Sequence, residues 1–270
     1  MIIGISGYAQ SGKDTTGLIL QYLTAQRNYL MPIDEFLKTD WIRNSVNAEW
    51  EIRKFAYKVK VVASKILNIN IEKFEDIEFK NLKMSGDWLL YKVTYYVGNL
   101  STFKLFSDPY EMNDFITKNG MVNNYIAEEI QPTYREFLQW LGTEAGRERI
   151  HPNIWVNALF ADYTEVAGLA KDEDNISVQY LEGVYPNWII TDVRFPNEAE
   201  AIKKRGGIIL RIERPNVERM LHRSETSLDN WDFDYTIKND YNLDKLINSV
   251  TTFTKEIEIN KYKTNNNESN

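Results

Sequence analysis

The chain of 270 residues contains no cysteine. Neither a disulfide framework nor a thiolate zinc site can be built from it. Histidine is almost as scarce: His151 and His222 are the two present, too few for a histidine-rich metal site. No apolar run reaches the ~20 residues of a membrane-spanning helix, and no basic segment precedes an apolar one near Met1. No membrane span and no secretory leader are therefore expected, and a cytoplasmic protein is. Asn99-Leu100-Ser101 is a glycosylation sequon by letter only. Positive charge is not in excess either. Lys and Arg number 32 against 39 Asp and Glu, a formal net charge of −7. Polymeric nucleic acid rewards basic stripes, so it is not an expected partner. A few focused arginines can still hold a small anion.

What is present supports a folded core. Hydrophobic residues make up 43% of the chain, and its length fits one large α/β domain or a core with an insertion. The opening carries the strongest chemical signal. Gly7 and Gly12-Lys13 stand at the spacing G-x-x-x-x-G-K of a phosphate-binding loop. Backbone N–H groups of such a loop point into one nest, and the following helix aims its positive end at the same place. The preceding Ile2 to Ser6 reads as a buried strand, and Thr15 to Gln26 as a helix with Leu18, Ile19, Tyr22 and Leu23 on its apolar face. A chance lysine in an ordinary strand–turn–helix connection is the plainer alternative. Gly7, Gln10, Ser11, Gly12, Lys13, Asp14, Thr15 and Thr16 are the candidate ATP-binding residues. Asp14 occupies the place where Ser or Thr usually holds Mg²⁺, so contact through water is expected there.

Further along, Trp50 to Phe55 predicts a second strand and Ala56 to Leu67 a helix. Lys60, in the first turns of that helix, is a candidate for a substrate phosphate; a solvated face is the plainer use. Residues 83–131 break the α/β rhythm. The aromatic, β-branched run Trp88 to Val97, followed by Gly98-Asn99, predicts a hairpin or small sheet, and Tyr110 to Lys118 a short helix. This aromatic, β-rich insertion is expected to cap the site or to form a contact between two copies. Thr133 to Arg147 predicts a helix after Pro132. Its wheel puts Phe137, Leu138, Leu141 and Ala145 toward the core. Arg135, Gln139, Trp140, Glu144 and Arg147 lie elsewhere on it, either as a solvated face or as a wall for a phosphorylated ligand.

Asn153 to Tyr163 predicts a helix, and the acidic stretch Glu165 to Gly183 a solvated loop. The strand from Trp188 ends in Asp192-Val193-Arg194. In doubly wound sheets ligands sit beyond the carboxyl ends of strands, so Asp192 and Arg194 become candidates for the metal and phosphate side; a helix cap is the plainer role for Asp192. A helix to Arg205, a strand over Ile208 to Ile212, a strand over Tyr235 to Lys238 and a last helix over Leu243 to Glu256 complete the pattern. A structural hydrogen bond suits His222 better than catalysis. Residues 1–259 are expected to form one domain, with lid or substrate helices over 133–165 and a flexible polar tail over 260–270.

Taken in order, several blocks resemble the phage-type deoxynucleoside monophosphate kinases. They are Gly7 to Thr15, Phe55 to Lys60, Gln139 to Glu144, Asp192 to Glu200, His222 to Glu225 and Asp234 to Asp240. The resemblance implies a three-layer α/β/α phosphate-loop kinase fold with a parallel sheet, ATP with Mg²⁺ as donor, and a dNMP as small-molecule acceptor giving a dNDP. It places the protein in the host cytoplasm if a phage encodes it. It also implies Lys13 on the outer phosphates and Asp14, Thr15 and Asp192 around Mg²⁺ and its waters. Lys60, Arg135, Arg147 and Arg194 would serve the acceptor phosphate and the transferred group, and Gln139, Trp140, Glu144 and Glu198 the base or sugar. Tyr57 and Lys58 stand where the family has Asp and Pro, so only Phe55, Ala56 and Lys60 of that block carry over. Two rivals stay open: a phosphomevalonate-kinase-like enzyme, suggested by Lys13-Asp14 and by Ser224-Glu225 with Phe233-Asp234, and an ATP-binding module without turnover.

Overall fold

The computed structural model describes residues 1–25, 31–38, 50–97, 100–121, 124–172, 175–180, 183–215, 226–240 and 242–267. Along the described residues run β1 (Ile2–Ser6), α1 (Lys13–Thr24), α2 (Ile33–Lys38), β2 (Trp50–Arg53), α3 (Phe55–Leu67) and α4 (Ile77–Asn81). Next come β3 (Leu90–Val97), β4 (Leu100–Phe106), α5 (Pro109–Lys118), β5 (Tyr125–Ile130) and α6 (Tyr134–Trp140), which continues as a π-helical segment over Leu141–Ile150. Then follow α7 (Ile154–Phe160), β6 (Ala167–Asp172), β7 (Asn175–Tyr180), β8 (Asn187–Val193), α8 (Pro196–Lys203), β9 (Ile208–Glu213), β10 (Tyr235–Lys238) and α9 (Leu243–Asn267). The chain divides into two compact units, Met1–Lys58 with Asn153–Asn270, and Val59–Pro152. From sequence, 1–259 is expected as one domain with an insertion at 83–131; that segment falls wholly inside the second unit.

The first unit is built on a five-stranded sheet in the order β10-β9-β1-β8-β2. Every pairing in it is parallel. A parallel sheet needs cover on both faces, and alternate residues supply it. Ile3, Ile5, Ile189, Leu210 and Ile212 pack with Ile19 and Leu20 of α1 and with Leu246, Val250 and Phe253 of α9. Ile2, Trp188, Ile190 and Ile209 pack the opposite way, with Leu159 and Phe160 of α7 and with Ala199 and Ile202 of α8. Each such aliphatic side chain contributes about 1.5–3 kcal/mol on leaving water. Three layers result, with β1 in the middle and its carboxyl end opening into residues 7–12. Gly17 lets α1 lie close on β8: a Cβ there would come 2.4 Å from Thr191 Cγ2.

The second unit carries an antiparallel sheet in the order β4-β3-β5, so the aromatic run does form the expected small sheet. One face is covered by α5, whose Phe115 ring lies 5.6 Å from Tyr95 and 5.3 Å from Phe106. Tyr96, Phe103 and Ile126 are exposed on the other. Asp108 caps α5 through a 2.7 Å bond from Tyr110 N–H.

Three expectations need correction. The acidic stretch 165–183 is not a plain loop: β6 and β7 pair antiparallel within it, because its β-branched and apolar residues alternate well enough to form a ladder. The polar tail is helical as far as Asn267, since no glycine or proline interrupts it. The helix after Pro132 does not stay α-helical. Beyond Trp140 the turn widens, His151 N–H bonding five residues back to Gly146 O at 3.0 Å. The wheel drawn at α-helical spacing therefore slips: Ala145, expected in the core, is exposed, and Gly146 is buried instead.

Candidate active site

The site begins with the loop between β1 and α1. Gly12 has φ 102° and Gly7 φ 155°, values that suit glycine alone. Gln10 has φ 61°, a left-handed conformation uncommon outside glycine. Five of the loop's carbonyls are occupied. Lys13 Nζ donates to Gly7 O at 2.8 Å and Tyr8 O at 2.6 Å. Arg214 donates to Gln10 O at 3.3 Å, Asn239 Nδ2 to Ser11 O at 2.8 Å, and Thr16 N–H to Gly12 O at 2.8 Å. The N–H groups of Gln10, Gly12, Asp14 and Thr15 have no partner among the described residues. Donors are open, acceptors are engaged, and a 12-residue helix starts at Lys13. That combination attracts an anion.

Asp14 sits beside this nest. Its Oδ1 accepts from Thr191 Oγ1 at 2.7 Å and from the Lys54 ammonium at 2.9 Å. Burial pushes the carboxyl up, but Lys54, Thr191 and Lys13 outweigh it and hold the group below the usual aspartate value. The side chain keeps 68% exposure, in keeping with an oxygen edge open to solvent inside a crowded mouth. Lys54 and Thr191 are thus part of the site although the motif spacing does not point to them. Their signal is position: Lys54 directly follows β2, and Thr191 precedes the Asp192 turn in β8, both at the carboxyl side of the sheet.

Asp192 binds backbone. Its two oxygens accept from Phe55 N–H and Ala56 N–H, each at 2.8 Å, which closes the start of α3. A carboxylate there is stabilised by the helix dipole as well as by the hydrogen bonds. Glu198 is 1% exposed and accepts from Arg194 N–H at 2.7 Å and Phe195 N–H at 3.0 Å. It shapes the turn that carries Arg194 and presents no oxygen to an open surface.

The remaining predicted residues belong to the second unit. Lys60 Nζ pairs with Glu75 at 2.6 Å. Arg135 Nε donates to Asn81 at 2.9 Å. Thr133 and Glu136 form a capping box at the start of α6. Gln139 and Trp140 are half-buried on α6; in the π-helical segment Arg147 is half-buried and Glu144 exposed. The structure brings Lys13, Asp14, Thr15 and Thr16 together with Lys54 and Thr191 at one end of the parallel sheet. Lys60, Arg135, Gln139, Trp140, Glu144 and Arg147 share the other unit. The block His222 to Glu225 lies outside the described residues.

A cavity of about 760 Å³ adjoins the loop, lined among others by Tyr8, Arg211, Arg214, Asp229, Phe233 and Lys238. Arg211, 6% exposed, lies between the rings of Tyr8 and Phe233, at 4.7 and 5.2 Å. Tyr8 Oη donates to Asp229 at 2.6 Å.

A divalent ion suits the donors present. Asp14 offers an exposed carboxylate edge beside the open N–H groups, and Mg²⁺ is commonly held by one or two carboxylates, water and substrate phosphates. Among the described residues no group of three or more acidic or histidine side chains could hold an ion by itself, so phosphate oxygens would have to complete any such site.

The chain also resembles known proteins over most of its length. The family model for deoxynucleotide monophosphate kinase matches residues 1–250. The deoxynucleoside-5′-monophosphate kinase of Escherichia phage T5 is 24% identical over 217 residues, covering 76% of this chain and 72% of the phage protein. The matched span takes in the loop at Gly7–Gly12, the Asp192–Glu198 turn and the whole second unit: this chain belongs to the deoxynucleotide monophosphate kinase family.

Proposed function

We propose that the protein transfers the γ-phosphoryl group of MgATP to the phosphate of a dNMP, with residues 7–16 as the phosphate-binding loop. Family membership makes it a kinase with ATP as donor and a nucleotide as its small-molecule partner. The observation that carries the residue-level reading is the loop itself: occupied carbonyls, open N–H groups and Lys13 poised across them. A phosphate entering the nest offers Lys13 Nζ a charged acceptor in place of two neutral carbonyls, and charge-assisted bonds are the stronger. Thr15 and Thr16 follow in the first turn. Asp14 would hold Mg²⁺ through water, its orientation fixed by Lys54 and Thr191; when bound, the ion neutralises phosphate charge.

Arg194, Lys60, Arg135 and Arg147 are the cations for the acceptor phosphate and for charge on the transferred group, where guanidinium forks suit phosphate oxygens. Gln139, Trp140 and Glu144 are the candidates for base or sugar. Asp192 serves first as the cap of α3, the helix that carries Lys60, and Glu198 holds the Arg194 turn. No covalent intermediate is needed: positioning and electrostatics suffice for this class of transfer. No helix among the described residues is long and apolar enough to cross a membrane.

The test is ADP release from MgATP with dGMP, dTMP, dCMP, dAMP, the ribonucleotides and phosphomevalonate offered separately. Turnover with one or more dNMPs is expected. Turnover with phosphomevalonate alone, or ATP binding with silence across the panel, would overturn the reading.

A further inference from the structure

Most carbonyls of the loop are held by donors a few residues away. Lys13 takes Gly7 O and Tyr8 O, and Thr16 takes Gly12 O. Ser11 O, like Gln10 O under Arg214, is held by a side chain distant in sequence, that of Asn239, 228 residues further along. The amide nitrogen must be the atom facing Ser11 O, because a carbonyl only accepts. Asn239 is itself fixed. Its backbone N–H donates to Glu213 O at 2.7 Å, tying the residue after β10 to the last residue of β9. Its amide also lies on the bare Cα of Gly12, where a Cβ would come within 2.5 Å of Nδ2. Glycine is thus required at 12 twice over, by φ and by the space that Asn239 fills.

The consequence follows from peptide planarity. In a trans peptide the C=O of Ser11 and the N–H of Gly12 point in opposite directions. Drawing Ser11 O toward Asn239 turns the Gly12 N–H away from β10, and that N–H is one of the open donors. We propose that Asn239 is a positioning residue for the phosphate-binding loop, setting the Ser11–Gly12 peptide so that the Gly12 N–H is presented to a phosphate of the donor nucleotide. This rests on the loop's proposed role.

Two substitutions test it. Asn239→Ala removes the donor, and Asn239→Asp keeps the shape but puts oxygen against Ser11 O. In both, the KM for MgATP is expected to rise about tenfold, with the acceptor KM within twofold of wild type. A merely structural role would lower the unfolding midpoint and leave the two KM values alone. An unchanged ATP KM in either folded variant, or equal rises in both KM values, overturns the proposal. Should neither variant fold, the wild-type Gly12 amide resonance decides: it must shift on addition of pyrophosphate, and an unmoved resonance overturns the proposal. A wild-type enzyme silent with every acceptor would instead defeat the kinase reading.

Discussion

At the scale of single residues, Asp14 is the most informative side chain. Its Oδ1 is shared by Thr191 and Lys54, and the Lys54 ammonium, the Thr191 hydroxyl and the nearby Lys13 together outweigh burial and favour the charged form. With the folded-state pKa below the ordinary aspartate value, the contribution of this contact is present above that ordinary value and is lost as pH falls through the folded pKa. Carboxyl NMR titration of the nucleotide-free protein should therefore find the Asp14 midpoint below 3.8. In Lys54→Met the midpoint should move upward; an unmoved midpoint would mean that Lys54 is not the cause. Gly17 gives a second prediction. A Cβ would meet Thr191 Cγ2 at 2.4 Å, so Gly17→Ala should cost about 1–3 kcal/mol by overpacking, read from denaturant unfolding. A neutral substitution would show that α1 and β8 are not in such close contact.

Local structure was legible where spacing alone encodes it. The glycines and lysine of the opening loop have a fixed pattern, and the strand and helix around them follow from apolar periodicity. Glu198 was not legible. From sequence it stands among the base or sugar contacts, yet burial gives it to the backbone of the Arg194 turn. Asn239, Lys54 and Thr191 were missed because their partners are far away in the chain, and only the folded sheet brings them to the loop.

At the scale of elements, α3 is tied to β8 across 137 and 136 positions by the carboxylate of Asp192. Asp192→Ala leaves two N–H groups at the helix start without their acceptor and should lower stability by about 1–2 kcal/mol, measured by urea unfolding. Unchanged stability would mean that the cap is not formed in solution. The helix after Pro132 shows why element boundaries resist sequence reading. Thr133 and Glu136 close its start with a capping box, but the widening beyond Trp140 moves Ala145 out and Gly146 in. Helical wheels assume one constant turn angle, and here it changes. The β6–β7 pair escaped for another reason: the charged run Lys171 to Asp174 reads as a loop in the sequence, yet Lys171 and Asp172 belong to β6.

At the scale of the molecule, the buried strands and amphipathic helices of the central sheet were legible from periodicity, its parallel order was what the resemblance implied, and both core faces agree with it. The aromatic sheet β4-β3-β5 was likewise foreshadowed by its β-branched run. What composition could not convey is that residues 59–152 form a unit of their own, because unit boundaries depend on contacts and α3 runs through this one without a break. Chemistry follows the same division. The loop, Asp14 and the Asp192 turn lie in one unit. Most of the cations and the polar and aromatic residues assigned to the acceptor lie in the other.

The loop's part in the transfer is tested most directly at Lys13. Lys13→Ala should leave the unfolding midpoint close to that of the unaltered protein, since the lysine's bonds to Gly7 O and Tyr8 O are neutral-acceptor contacts at a half-exposed site. Its turnover of MgATP with the best dNMP should fall by about a hundredfold or more. Near-normal ADP release from a folded Lys13→Ala protein would contradict the account.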